Sequence, residues 1–113
     1  MHELSIAESI LEMVEQEALH NHFTKVKTIT LTIGAVAGVE IELLNTYLPL
    51  VFDKTLAAEA HVIIEPAPAE AICNSCNEQS KLQSLHEMCP HCQAFQWQWI
   101  SGREIKIKDL LVV

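Results

Sequence analysis

The sequence predicts an α+β fold: a small mixed three-stranded sheet covered by two helices, with a zinc-ribbon-like four-cysteine module inserted into it. Three observations carry this. Apolar residues recur at helical spacing in two stretches, they alternate with polar residues in others, and all four cysteines fall within residues 73–92. At 113 residues, half of them hydrophobic, the chain suits one compact domain or one small domain with an appendage. So short a chain buries a limited share of its surface, and a metal staple adds what the core lacks.

The first helix is expected from Leu4 to Leu19. Leu4, Ala7, Leu11, Val14 and Ala18 form an apolar stripe, Ile6, Ile10 and Met13 widen it, and glutamates take much of the other face. Asn21 is the expected stop, because asparagine tolerates the left-handed conformation that ends helices. KVKTITLTIG then alternates strictly: Ile29, Leu31 and Ile33 share one face, Thr28, Thr30 and Thr32 the other, and Gly34 closes the strand. Helical spacing returns through Ile41, Leu44, Leu48 and Val51, where Pro49 removes one backbone bond and should kink or restart the helix. AHVIIE is a short strand. PAPA, residues 66–69, is stiff and extended and is expected to end the pairing as an inter-domain hinge. At the end, Ile105 and Ile107 alternate with Lys106 and Lys108 in a final strand. Residues 1–67 and 101–113 are thus expected to form one α/β domain, and residues 68–100 the cysteine module.

The formal charge of −8, from 15 acidic and 7 basic side chains, argues against nucleic acid, which is bound by neutralising phosphates. It argues against anionic membrane for the same reason. The first twenty residues hold five glutamates and no Lys or Arg, the reverse of a secretory leader, and no apolar run is long enough to span a bilayer. The cytoplasm is the expected location. There, cysteines serve as metal ligands more readily than as disulfides.

Cys73, Cys76, Cys89 and Cys92 stand as C-x2-C-x12-C-x2-C. Two close pairs on two turns can converge four thiolates into a tetrahedron, the geometry zinc prefers and one closed to substrate. Each knuckle wants a residue after its second cysteine that turns the backbone tightly, for which Asn77 is better suited than Gln93. A rubredoxin-like iron centre uses the same four sulfurs and stays open; a redox dithiol and a nucleic-acid-reading ribbon fit less well. Lys81 is the sole lysine or arginine between Cys73 and Cys92, so Phe95, Trp97 and Trp99 are expected to pack over the loops rather than stack bases. His86 and His91 read as exposed loop residues.

The amino terminus offers a second set of ligands. The amine of Met1, the amide and imidazole nitrogens of His2 and the amide of Glu3 can close adjacent chelate rings around one ion, and planar nitrogen coordination selects Ni(II) or Cu(II). A helix start suits this, because its first N–H groups have no intrahelical partner. The Glu3 carboxylate could serve as an outer or alternative ligand. Any chain beginning Met-His-Glu has these atoms, however, and the residues alone leave His2 either a ligand or inert.

MHELSIAESI at the start, LTIGAVAGVE, the cysteine spacing with CPHC, and SGREIKIKDL at the end occur in one order. Together they resemble the nickel-incorporation proteins of NiFe-hydrogenase maturation, the HypA/HybF family, over essentially the whole chain. The resemblance implies a metallochaperone with nickel on His2, the Met1 amine and Glu3, and zinc on the four cysteines. It implies work with the nickel-handling GTPase HypB and the hydrogenase large subunit; self-association into a homo-oligomer is left open. Gln93, Lys54 and Pro49 depart from the family pattern, at turns and in helix shape. No nucleophile with its base, phosphate loop or carboxylate pair stands out, so no enzyme is expected. The alternatives are a zinc-ribbon interaction module with no nickel role and a small electron carrier.

Overall fold

The computed structural model describes residues 2–113, so the nickel role expected of Met1 falls outside the described residues. In chain order the elements are α1 (Glu3–Asn21), β1 (Val26–Gly34), α2 (Ile41–Phe52), β2 (His61–Ala67), β3 (Ala69–Cys73), β4 (Gln79–Leu82), β5 (Trp97–Ser101) and β6 (Ile105–Val112). The strands form two three-stranded sheets, ordered β2-β1-β6 and β4-β3-β5. Both helices and the first sheet are as expected; periodicity placed no individual strand of the second sheet. No helix among the described residues is long and apolar enough to cross a membrane. The chain divides into two compact units. The first runs to Leu31 and takes in Val39–Ile64 and Ile107–Val113, and the second is Thr32–Gly38 with Glu65–Lys106.

In the first unit, α1 buries Glu3, Ala7, Ile10 and Val14, a stripe at steps of four and three. The face is rotated from the expected one: Leu4 is exposed and Ile10, not Leu11, reaches the core. The left-handed residue is His22 (φ 58°), one beyond Asn21, and its N–H donates to the Ala18 carbonyl at 2.9 Å. Asn21 stays helical because its side-chain amide donates to the Glu17 carbonyl (3.1 Å) and carboxylate (3.0 Å).

Helix α2 buries Leu44, Leu48 and Phe52, with Val51 only half-buried, and Pro49 lies inside it. Its end is closed by Thr55, whose hydroxyl and N–H both donate to the Phe52 carbonyl, one of the acceptors a helix leaves orphaned. Lys54 takes φ 60°, which explains why a glycine suits that position. Ile29, Leu31 and Ile33 are buried as alternation predicts, and Thr30 is buried too. The Val113 N–H donates to the Lys25 carbonyl, so the end of β6 meets the start of β1 and the two strands are antiparallel. The Val26 N–H donates to the Leu56 carbonyl, bringing the approach to β2 alongside the start of β1. That is the parallel arrangement a helical crossover permits, and the sheet is mixed as expected.

The break expected at PAPA falls later than the first proline. Strand β2 continues through Pro66 to Ala67, whose carbonyl accepts the Ala35 N–H at 2.8 Å, and only Pro68 separates it from β3. Proline is tolerated because β2 is an edge strand, where one side of the backbone needs no donor. Strand β3 pairs antiparallel with β4, from Ala69 opposite Leu82 to Ile72 opposite Gln79, and with β5, ending at Cys73 opposite Trp97. Ala69, Ala71 and Cys73 alternate inward and are all fully buried. Near these, the Gly34 N–H donates to the Glu104 carbonyl and the Val36 N–H to the Gly102 carbonyl, each at 2.9 Å.

Candidate metal centres

The two Cys-x-x-Cys segments fold into the same knuckle. In each, the N–H two residues on points at the first cysteine's sulfur: Ser75 to Cys73 Sγ and His91 to Cys89 Sγ, both at 3.4 Å. The N–H four residues on returns to the first cysteine's carbonyl, Asn77 to Cys73 and Gln93 to Cys89, both at 2.8 Å. That closure needs a left-handed residue, and Asn77 (φ 61°) and Gln93 (φ 67°) supply it. Gln93 carries the steric cost a glycine would avoid. Each first cysteine then donates onward, Cys73 N–H to Glu78 and Cys89 N–H to Ala94, at 2.9 and 2.7 Å. Strand β3 delivers the first knuckle directly, since Cys73 is its last residue.

The four sulfurs lie within 4.8 Å of one another, with Cys73 3.5 Å from Cys92 and Cys76 3.7 Å from Cys89. A tetrahedron of sulfurs with metal–sulfur bonds of about 2.3 Å has edges of about 3.8 Å, and the two shortest separations come close to that, so small side-chain shifts suffice to bring the set onto one ion. Cys73 and Cys89 are buried and Cys92 is exposed. His86 and His91 are exposed, as expected, and neither imidazole joins this group. Trp97 donates its Nε1–H to the Glu87 carbonyl at 2.9 Å and tilts against Trp99, pinning the loop before the second knuckle. Phe95 does not pack down as expected; it is 61% exposed.

The knuckle amides also sort the thiols. The N–H of Cys76, and then that of Ser75, hold Cys73 down to about 6. Burial opposes ionisation of Cys89, yet the N–H groups of Cys92 and His91 bring it below the ordinary thiol range. At Cys76 the Glu78 N–H favours the thiolate but burial and the neighbouring thiols outweigh it, pushing the group up to about 12. Cys92 is raised as well, its neighbouring thiol Cys73 and burial prevailing over the Ala94 N–H. At neutral pH the metal-free cluster therefore holds Cys73 as thiolate and keeps Cys76 and Cys92 protonated. A divalent ion that takes four thiolates should release about two to three protons at pH 7, and its affinity should rise with pH by that many decades per unit. Calorimetry in buffers of different ionisation enthalpy measures this number; no proton release would mean that the cluster is not bound as thiolates.

At the other candidate centre, His2 is the exposed N-cap of α1, in extended conformation (φ −91°, ψ 97°), with no side-chain cap bond. The first helical hydrogen bond runs from the Ile6 N–H to the His2 carbonyl at 3.1 Å. The amides of Glu3 to Ser5 thus precede the helical ladder, as chelation by a backbone nitrogen would require. Glu3 is placed otherwise than expected of a ligand. Its side chain is buried, and Oε2 accepts the Glu40 N–H at 3.0 Å. That N–H holds the carboxyl below the usual carboxylate range against the opposing effect of burial. Glu40 had no signal in the sequence, since it lies far from Glu3 along the chain.

A family profile described as "Hydrogenase/urease nickel incorporation, metallochaperone, hypA" matches residues 1–112. The chain belongs to the HypA family. Proteins named hydrogenase maturation factor HypA from Alkalilimnicola ehrlichii and Rhodopseudomonas palustris are each 38% identical over 112 residues, covering 99% of this chain and 99% of their own. The solution structure of "the Ni metallochaperone HypA from Helicobacter pylori" superposes with a TM-score of 0.74 at 21% identity, covering 100% of this chain and 98% of that one. At that identity the likeness speaks for the fold, and the fold is that of HypA. The resemblance seen in the terminal MHE and the cysteine spacing is correct. By description the family is one of nickel metallochaperones, and its named members are hydrogenase maturation factors.

Proposed function

We propose that this protein carries Ni(II) on its first three residues and hands it to the large subunit of NiFe hydrogenase during maturation. The ligands are the Met1 amine, the amide and imidazole nitrogens of His2 and the amide of Glu3. One observation supports this above others: His2 stands exposed and extended ahead of the first helical hydrogen bond, so the amide of Glu3 loses no helical acceptor when it binds metal. Two displaced amide protons cancel the charge of the ion, which removes the helix dipole's objection to a cation at this end. An open, exposed site suits transfer better than retention.

Zinc fills the four-cysteine centre and is structural: the four thiolates complete its shell and leave no position for substrate. The partner that supplies energy is the GTPase HypB, and the exchange takes place in the cytoplasm. The family's description spans urease as well as hydrogenase, so delivery should be assayed into both apoenzymes.

Equilibrium dialysis of untagged protein tests the reading. The parent should hold an equivalent of nickel and an equivalent of zinc and be colourless before nickel is added; His2→Ala should lose the nickel and keep the zinc. Acetylating Met1, or extending the chain ahead of it, should also suppress nickel binding. Nickel bound equally well without His2 would sink this assignment, and a red, iron-bearing protein would restore the electron-carrier alternative.

A further inference from the structure

Glu3 is the one charged side chain buried among the described residues, at 6% exposure. It sits in the first turn of α1, and its carboxylate reaches the backbone of Glu40, the N-cap of α2. Glu40 makes no side-chain cap bond of its own, and the incoming carboxylate takes up its N–H and adds to the negative charge that Glu42 already places in the first turn of α2. The residue that follows His2 is thereby tied to a second helix within the same unit.

Resting on the reading that nickel binds at the amino terminus, we propose that Glu3 is a positioning residue for that ion. Its amide nitrogen ligates, while its carboxylate stays on the Glu40 N–H and fixes the His2–Glu3 peptide in the direction a planar chelate needs. Two physical points separate this from a ligating carboxylate. A nickel ion that has displaced two amide protons is already neutral, so a further anion gains little beside it. A terminal peptide left free would have to be ordered on binding, and the tie to α2 removes much of that entropy beforehand.

Three variants test the proposal by competitive nickel titration and by the visible spectrum of planar Ni(II), with zinc content and thermal unfolding confirming the fold. Glu3→Gln keeps an acceptor oxygen for Glu40 and should bind nickel within about threefold of the parent with the same spectrum, whereas Glu3→Ala should bind about 10- to 100-fold more weakly. Glu40→Pro removes the donor, φ at Glu40 being −80° and suited to a proline ring, and Glu40→Ala, which loses the Glu40 carboxylate but keeps the N–H and should bind like the parent, is its control. Glu40→Pro should weaken nickel binding as Glu3→Ala does, and the double variant should add nothing further. Glutamine as weak as alanine, with an altered spectrum, would show that the carboxylate is itself a ligand and overturn the proposal. So would a Glu40→Pro variant that binds like the parent. If Glu40→Pro does not fold, the contrast between Gln and Ala at position 3 decides alone. Failure of the underlying reading looks different: His2→Ala would then bind nickel normally.

Discussion

Cys89→Ser should strip the second unit of its metal and of much of its fold. Cys89 is fully buried, its sulfur lies 3.7 Å from that of Cys76, and its sulfur, carbonyl and N–H carry the second knuckle's three hydrogen bonds. A serine hydroxyl is a poor zinc ligand at neutral pH, and the His91 N–H would lose its sulfur acceptor. Binding free energy at a structural zinc is folding free energy, on the order of 10 kcal/mol, because the unfolded chain has no preformed site. Losing one of four thiolates should cost more than about 3 kcal/mol. Two readouts check this: release of zinc to a chromophoric chelator, and the near-ultraviolet dichroism of Trp97 and Trp99, whose tilted pair depends on the Glu87 loop staying in place. Zinc held as tightly as in the parent, with the tryptophan signal unchanged, would refute the four-thiolate centre.

Gly102→Ala should be nearly as damaging, for a reason unrelated to metal. Gly102 has φ 109°, a conformation that side chains rarely adopt. A Cβ there would lie 2.3 Å from the Ala69 Cβ and 2.7 Å from its Cα, and neither atom belongs to a flexible side chain that could swing aside. Gly102 also donates to the Glu104 carboxylate and accepts from Val36, each at 2.9 Å, so moving its backbone breaks both bonds. Strain, overpacking and two lost hydrogen bonds together should cost about 3 kcal/mol or more. The unfolding midpoint should fall by on the order of 10 °C. A midpoint within a degree or two of the parent's would mean that the crowding around Gly102 is relieved at no cost.

Much of the fold and the four-cysteine cluster were legible along the chain. Helical spacing placed α1 and α2, alternation placed β1 and β6, and C-x2-C spacing named all four sulfur ligands that the structure brings within 4.8 Å. The errors were also local in kind. The core face of α1 runs through Ile10 rather than Leu11, because leucine and isoleucine are equally apolar to a periodicity count and only the neighbouring elements choose between them. PAPA read as ending the pairing at its first proline, but β2 runs on through Pro66 because the strand lies on an edge, and only Pro68 interrupts it. Strand β4 is only four residues long, too short for alternation to register.

By itself, then, the sequence determined what depends on near neighbours: helix and strand periods, and the spacing of thiolates on two turns. Only the tertiary structure decided that the Glu3 carboxylate meets the Glu40 N–H, 37 residues away, and that Ala35 pairs with Ala67 and Gly102 lies against Ala69. Such contacts follow from closing long loops around a shared core. Their partners are chosen by packing in three dimensions, and no spacing along the chain encodes them.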